Sequence, residues 1–429
     1  MRGITLKNTR IAVALVMGAS LLGMQAAVAT THSDVQVTGS GSTFVLNAME
    51  QWKADFKTAT GVVINYAGVG SGAGRTALLN KTVDFAGSDV AASTTPGADG
   101  KSETDNLKAA IGNFVYIPES VGGIAVFYKV AGFPGLKLTG PTIAKIFKGD
   151  ITNWNDPAIT ADNGSAGPNL AIQAFVRSDK SGTSGVFTDY LSKAGGGAWT
   201  AGSTQQFPVD HGQLGKSGSD GVANAVAATE GGIGYAEHSF EKERVSQGIA
   251  EVSVKNASGA YTKPLAENVA PAIEDATQNA DGTLTLNFLT TVPAAYPIST
   301  VTYLMAPVSM DPAKGDNLKA FVAYIVGDAE QNKAVLLGYA ALGTKVRTLA
   351  LAQTDKVNPV AATTTTTAAP VTTTTTKPVV IKAAVAPADP TIVSTGANSD
   401  RTVMLGALLL ALGGACALAG RRRQVKASA

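Results

Sequence analysis

The sequence predicts an α/β fold with two lobes, carried between an export signal and a C-terminal surface anchor. Three observations predict it. Short β-rich runs alternate with helical stripes between Asp34 and Val357, as in proteins with parallel sheets. Three loops rich in glycine and hydroxyl residues each precede a helical stretch. Both ends of the 429-residue chain have compositions that a globular core does not use.

The first 29 residues have the layout of a secretory signal peptide. A basic start is followed by an apolar run from Ile11 to Gly23 and by the small-residue site Ala27-Val28-Ala29. The run is too short for a comfortable membrane span, so we expect cleavage after Ala29. The only cysteine is Cys416, so the mature N-terminus carries neither a disulfide framework nor a lipid-bearing cysteine.

The C-terminal end predicts a stalk followed by an anchor. Residues 358–399 contain two threonine runs with interspersed Pro and Ala and almost no large apolar residue, so they cannot bury enough surface to fold. Residues 403–420 form an uninterrupted apolar stretch, and residues 421–429 begin with three arginines. This order predicts a transmembrane helix with a basic cytoplasmic tail.

Two forms of attachment remain open. The segment Ile392 to Gly396 resembles a sortase sorting signal, L-P-x-T-G, but Ile and Val stand where Leu and Pro belong. The protein is therefore expected at the extracellular face of the cell membrane, held by the helix, or linked to the cell wall.

Within the globular part, residues 30–357, local patterns predict individual elements. Val45, Met49, Trp52 and Phe56 recur at spacings of four, three and four, which predicts a helix that starts near Thr43. A second helical stripe runs through Val186, Phe187, Tyr190 and Leu191. The remaining predicted elements are strands at Val62–Tyr66, Val83–Phe85 and Ile124–Tyr128 and a short helix at Arg75–Asn80.

Connectivity predicts the two lobes, because the chain has no internal repeat. Strand-like stretches at Gly122–Tyr128 and Tyr296–Leu304 flank a long middle region. We expect the chain to cross there to a second lobe and to return. Lobe 1 then comprises about residues 36–123 and 298–350, lobe 2 comprises about 124–297, and the cleft between them is a common place for a small ligand.

The three loops share features that suit an anion. They are Gly39–Phe44, Gly68–Gly74 and Arg177–Ser184. The start of a helix offers unpaired N–H groups and the positive end of a dipole, and hydroxyls add further donors. Each loop alone is more often a simple helix cap, but three in one chain, one with an arginine, favour anion binding.

Other chemistries find little support. Gly68, Gly70 and Ala73 match a dinucleotide fingerprint, but a lone match is weak, and Ser71 adds a hydroxyl better suited to a small oxyanion. Gly215-Lys216-Ser217 lacks the first glycine of a P-loop, and the three histidines lack metal-ligand spacing. A net charge of +2 does not indicate nucleic-acid binding. A surface phosphatase, a nucleotide-dependent oxidoreductase, and an adhesion or scavenging module remain as rivals.

Four segments resemble the phosphate-binding proteins of Pst-type ABC importers. They are Gly39–Phe44, Gly70-Ser71, Asp84–Asp89 and Arg177–Ser184, and R-x-D-x-S-G-T-S is the most specific. The resemblance implies a type II periplasmic-binding-protein fold, with two α/β lobes joined by a two-strand hinge and the ligand in the cleft. It also implies a monomer that captures inorganic phosphate for an ABC permease, without catalysis, cofactor or metal.

The resemblance also implies which residues surround the phosphate. Arg177 offers a charged fork for two phosphate oxygens, and Asp179 can hold the guanidinium in place. Asp89 can accept the proton that phosphate keeps near neutral pH and that sulfate lacks, so it should reject sulfate. The complete predicted set is Thr43, Phe44, Ser71, Asp89, Arg177, Asp179, Ser181, Gly182 and Thr183.

Overall fold

The computed structural model describes residues 35–359. The predicted signal peptide, transmembrane helix, basic tail and sorting-signal-like segment lie outside the described residues, as does the stalk after its first two residues. Within residues 35–359, no helix has the length and apolar character needed to cross a membrane.

The described chain alternates strands and helices. The strands are β1 (Val37–Gly41), β2 (Ile64–Gly68), β3 (Phe85–Ser88), β4 (Phe114–Tyr128), β5 (Lys137–Leu138), β6 (Gln173–Arg177), β7 (Leu214–Lys216), β8 (Gly232–Glu237), β9 (Ala250–Glu251), β10 (Ser253–Lys255), β11 (Tyr261–Thr262), β12 (Thr277–Gln278), β13 (Leu284–Thr285) and β14 (Ser299–Pro307). The α-helices are α1 (Leu46–Thr60), α2 (Ser71–Leu79), α3 (Glu103–Ile111), α4 (Gly140–Lys148), α5 (Pro157–Asn163), α6 (Gly182–Ala194), α7 (Gly218–Ala227), α8 (His238–Lys242), α9 (Ala266–Glu274), α10 (Pro312–Ile325), α11 (Asp328–Leu337) and α12 (Thr344–Thr354). A short 3₁₀ helix covers Val245–Gln247.

One nine-stranded sheet organises both lobes. Its strand order is β2-β1-β3-β14-β4-β8-β6-β7, and β9 pairs additionally with β4. The pairs β1–β2, β1–β3, β6–β7 and β6–β8 are parallel, whereas β14 is antiparallel to β3 and β4. The parallel parts on each side of the centre give the α/β architecture of the type II periplasmic-binding-protein fold.

Strand β4 is common to both halves of the sheet. Phe114 to Gly123 pair with β14, and Ile124 to Tyr128 pair with β8. Beside this change of partner, the Ile124 N–H donates to Ile298 O at 2.8 Å. The chain therefore passes twice between the two parts, which we call lobe 1 and lobe 2 with the bounds proposed above.

The predicted strand Ile124–Tyr128 was too short, because β4 begins ten residues earlier at Phe114. Pro118 and the Gly122-Gly123 pair argue against a central strand in the sequence. The structure accommodates Pro118 at a β-bulge, where the register with β14 shifts between Thr302 and Tyr303. Glu119 is the extra residue of this bulge and lies outside the hydrogen-bond ladder. Because the ladder is already interrupted there, the missing N–H of the adjacent Pro118 costs few further hydrogen bonds.

Helix α1 buries the face that the spacing predicted. Met49, Trp52 and Phe56 are at most 1% exposed, and the Phe56 ring packs edge-on against Phe321 at 5.3 Å. The helix begins at Leu46 and not near Thr43, because Ser42 to Val45 form the turn that leads out of β1.

Three further predicted elements are displaced along the chain. The strands near Val62 and Val83 begin two residues later, as β2 and β3. The helix predicted at Arg75–Asn80 begins at Ser71, because its glycines serve close packing and not a loop. A Cβ atom at Gly74 would lie 2.4 Å from Gly41 Cα, so only glycine lets α2 approach β1.

The second predicted stripe is confirmed in α6. Val186, Phe187, Tyr190 and Leu191 are all buried. Phe187 stacks on Tyr235 of β8 with ring centroids 4.2 Å apart. This packing holds the start of α6 at the carboxyl end of β6, next to the cleft.

Candidate anion-binding site

The predicted site residues follow the carboxyl ends of parallel strands. Thr43 and Phe44 follow β1, Ser71 follows β2, and Asp89 follows β3, all in lobe 1. Arg177 ends β6 in lobe 2, and the loop after it leads to Ser181, Gly182 and Thr183 at the start of α6. The sheet therefore brings loops from both lobes to one place, which is where open α/β sheets bind ligands.

Asp89 is the centre of a hydroxyl cluster. Its Oδ1 atom accepts hydrogen bonds from Ser42 Oγ at 2.5 Å and Thr302 Oγ1 at 2.8 Å. Its Oδ2 atom accepts one from Thr183 Oγ1 at 3.1 Å, across the cleft. Burial raises the pKa of Asp89, and these hydroxyls and the charge of Arg177 oppose that rise only in part. The carboxyl group is thus suited to sharing a proton with a ligand.

Arg177 is held in a fixed orientation by Asp179. The guanidinium donates from Nε to Asp179 Oδ1 at 2.8 Å and from Nη2 to Oδ2 at 2.5 Å. Nη1 donates to Ser219 Oγ at 3.3 Å. Burial would raise the pKa of Asp179, but hydrogen bonding and charge from Arg177 outweigh it and hold that pKa below its ordinary value. Asp179 therefore stays ionised and orients the arginine.

Ser71 and Ser181 lie at two helix N-termini that face each other. Ser181 caps α6 by accepting from the Ser184 N–H at 3.2 Å. Ser71 is the first residue of α2, and its Oγ accepts from the Asp89 N–H at 3.3 Å. The starts of both helices lie beside Asp89, and the positive end of a helix dipole favours negative charge.

A third helix contributes to the site, and the sequence did not predict it. Ser219, in the first turn of α7, lies 3.0 Å from Thr43 through their hydroxyl oxygens. The Gly218 N–H donates to Asp179 Oδ1 at 3.1 Å. The run Gly215-Lys216-Ser217 lacks the first glycine of a P-loop, but Gly218 and Ser219, which follow it, are residue types typical of an anion-binding helix start.

The backbone of Phe44 lies close to the Asp89 carboxylate. Its ring is fully buried and packs edge-on against Tyr339 with centroids 6.1 Å apart. Its N–H donates to Ser42 Oγ at 3.0 Å, beside the Asp89 carboxylate. The aromatic ring thus anchors the turn, and the backbone amide is the part of Phe44 on the side of Asp89.

Direct contacts hold the two lobes together over the site. Gly72 N–H donates to Lys180 O at 2.9 Å, and Arg75 Nη2 donates to Gln205 Oε1 at 2.6 Å. Arg75 is itself fixed in lobe 1 by Ser88 Oγ at 2.7 Å and by an ion pair with Glu103 at 2.9 Å. The structure therefore shows a closed cleft.

Two glycines make this closure possible. A Cβ atom at Gly182 would lie 2.4 Å from Ser71 Oγ and 2.8 Å from Asp89 Oδ2. A Cβ atom at Gly70, where φ is +90°, would lie 2.3 Å from Asp179 Oδ2. Gly70, the second glycine of the dinucleotide-like pattern, thus makes room for the Asp179 carboxylate of lobe 2.

The fold and the site define a two-lobed anion-binding protein. A sequence model of the PBP superfamily domain matches residues 26–329. Phosphate-binding protein PstS 2 of Mycobacterium tuberculosis is 36% identical over 308 residues, which are 69% of this chain and 80% of that protein. The chain belongs to the PBP superfamily and, within it, to the PstS family of phosphate-binding proteins.

Two other proteins show the same relationship. Phosphate-binding protein PstS of Xylella fastidiosa is 34% identical over 281 residues, covering 64% of this chain and 72% of that protein. The solved structure of a phosphate-binding protein from Stenotrophomonas maltophilia covers 74% of this chain and 93% of its own, with 22% identity and a TM-score of 0.59. The structural likeness shows that the fold is shared.

Proposed function

We propose that this chain captures inorganic phosphate in the cleft and delivers it to an ABC-type permease, without catalysing a reaction. The observation that carries the proposal is the pairing of a fixed arginine with a buried carboxyl group in one closed site. Arg177 supplies a positive fork, and Asp89 supplies an acceptor whose burial raises its pKa. The PstS relatives, named as phosphate-binding proteins, support this function.

We propose the following roles for the predicted residues. Arg177 binds two phosphate oxygens, and Asp89 accepts the remaining phosphate proton. Asp179 acts through Arg177, since both of its oxygens face the guanidinium. The remaining members give hydroxyl or amide donors at the turn after β1 and at the two helix starts: Thr43, Phe44, Ser71, Ser181, Gly182 and Thr183.

The roles of Asp89 and Arg177 predict selectivity against sulfate. Sulfate near neutral pH has no proton to donate, so its oxygens would face the Asp89 carboxylate without a hydrogen bond. Sites built around a ligand hydroxyl reject analogues lacking it by roughly 10⁴ to 10⁵. Isothermal titration with both anions tests this, and equal affinities in the unmodified protein would contradict the proposal.

Variants separate the two roles. We expect Arg177→Ala to abolish measurable phosphate binding, and Asp89→Asn to weaken phosphate binding while sulfate binding appears. Asp189→Asn is the matched control, because Asp189 forms an ion pair with Lys193 within α6, at 2.9 Å, and does not belong to the predicted anion site. Sulfate affinity that stays unmeasurable in folded Asp89→Asn would refute the proton-acceptor role.

We also propose export and C-terminal attachment. The support is sequence alone: the signal peptide over residues 1–29, the stalk over 358–399 and the apolar stretch over 403–420. Mass spectrometry of the mature protein from cells tests this. A first residue after Ala29 supports export, and a chain that still contains Arg421 supports a retained membrane helix over sortase cleavage.

A further inference from the structure

His238, Glu241 and Glu251 form a cluster in lobe 2 that shares no residue with the anion site. His238 and Glu241 lie one turn apart on α8, and Glu251 ends β9. Strand β9 is fixed at this place because Glu251 pairs in register with Phe127 of β4. The cluster thus joins a helix to a strand across the intervening turn and 3₁₀ helix.

The three side chains present their donor atoms to one another. His238 Nδ1 lies 3.3 Å from Glu241 Oε2 and in close contact with Glu251 Oε1. One nitrogen and two carboxylate oxygens all lie within 4.8 Å of one another. The side chains of His238, Glu241 and Glu251 are 11%, 3% and 8% exposed.

Two of these buried atoms lack a hydrogen-bond partner. Within the described part of the chain, His238 Nδ1 and Glu251 Oε1 are in contact but do not meet hydrogen-bond geometry with any group. A buried carboxylate without a hydrogen bond or counter-charge is unfavourable. His238 can supply at most one positive charge for the two carboxylates, whereas a divalent cation would supply two.

We propose that His238, Glu241 and Glu251 bind one divalent transition-metal ion, of which Zn²⁺ is the representative. Zinc takes imidazole nitrogen and carboxylate oxygen at about 2.0 to 2.2 Å. Donors around a tetrahedral ion are then about 3.4 Å apart. The His238–Glu241 separation of 3.3 Å is close to this value, whereas His238 and Glu251 are closer together and must move apart when an ion enters. Two carboxylates balance the charge of the ion, and one coordination position stays open to water.

The ion would fasten α8 at a contact between the lobes. A Cβ atom at Gly338, which ends α11 in lobe 1, would lie 3.1 Å from His238 Cδ2. Lys242, on the same helix, donates from Nζ to Leu336 O at 2.6 Å. The metal-bound form should therefore unfold at a higher temperature, because the ion binds the folded cluster and not the separated residues.

The test is a Zn²⁺ titration of the full-length protein, stripped with a chelator and kept free of phosphate. We expect one Zn²⁺ per chain by calorimetry and by elemental analysis after dialysis. Glu241→Gln and Glu251→Gln should each weaken Zn²⁺ binding at least tenfold, since even residues behind a ligand contribute about 10- to 100-fold. The matched control is His211→Asn, because His211 forms an exposed pair with Asp210 at 2.8 Å.

Two further measurements keep the result decisive if a variant folds poorly. Phosphate affinity reports folding, since the cluster shares no residue with the anion site. Visible absorption of bound Co²⁺ reports the ligand set directly. Three results would overturn the proposal and leave the cluster as a proton-sharing ion pair. They are no stoichiometric Zn²⁺ binding, Zn²⁺ affinity in both Glu→Gln variants equal to that of the unmodified protein, or a loss in His211→Asn as large as in those variants.

Discussion

Replacing Gly182 with alanine tests whether closure of the lobes over the anion is required for binding. Gly182 is the first residue of α6 and contacts the opposite lobe. The added Cβ atom would lie 2.4 Å from Ser71 Oγ and 2.8 Å from Asp89 Oδ2, whereas ordinary contacts begin at 3.4 Å. Ser71 and Asp89 are buried, and if their side chains stay in place the two lobes separate locally by about 1 Å.

That separation lengthens two hydrogen bonds that join the lobes near Gly182. Thr183 donates to Asp89 Oδ2 at 3.1 Å, and Gly72 donates to Lys180 O at 2.9 Å. Both would exceed hydrogen-bonding distance. A neutral bond contributes about 0.5 to 1.5 kcal/mol and a bond to a charged group about 1.5 to 3 kcal/mol. A combined loss of about 2 to 4 kcal/mol weakens phosphate binding about 30- to 1,000-fold.

The assay is isothermal titration of phosphate into Gly182→Ala and into the control Gly221→Ala. A Cβ atom at Gly221, inside α7, would lie 3.6 Å from Lys216 Cβ, which is an ordinary contact. We expect the control to keep the affinity of the unmodified protein. Gly182→Ala that is folded and binds phosphate within about threefold of the unmodified protein would refute the requirement for closure.

Two other predictions concern buried contacts around the site. Burial, followed by the charge of Asp89, raises the pKa of Glu119 from 4.5 to about 8. The folded state therefore keeps a proton that the unfolded state releases, and stability falls as pH rises from about 5 to 8. The fall in the free energy of unfolding is at most about 5 kcal/mol, and Glu119→Gln should remove it. Urea unfolding at several pH values measures this, and the same pH dependence of stability in both proteins would contradict the prediction. Gln205→Ala removes the acceptor for Arg75 across the cleft, so phosphate affinity should drop about 3- to 10-fold at unchanged melting temperature, and an unchanged affinity would show that this bond does not hold the cleft closed.

Local sequence patterns predicted the helices that have one buried face. They did not predict a strand that contains residues typical of turns. The stripes of α1 and α6 were readable because a helix with one buried face repeats every three to four residues. Strand β4 was not readable over its full length. Its Pro118 and paired glycines are signals of a turn. The bulge against β14 accommodates Pro118, and close packing requires the glycines, since a Cβ atom at Gly123 would lie 2.4 Å from Pro264 Cβ.

The same distinction holds for the site. Thr43, Ser71 and Ser181 could be proposed from the sequence because glycine and hydroxyl residues are typical of loops that precede helices. Thr302 was not found, because it lies within the regular strand β14 and reaches Asp89 only through tertiary pairing. Glu119 was missed for a related reason: its burial without a hydrogen bond among the described residues follows from the bulge and not from its neighbours in sequence.

The central position of β14 also governs the order in which the polypeptide can fold. Lobe 1 needs β14 between β3 and β4, but all of lobe 2 precedes β14 in the chain. Pairings so distant in sequence form slowly. As the chain emerges during synthesis, we therefore expect lobe 2 to become ordered first, while uncovered strand edges in lobe 1 stay open to chaperones and proteases until residues 299–307 emerge.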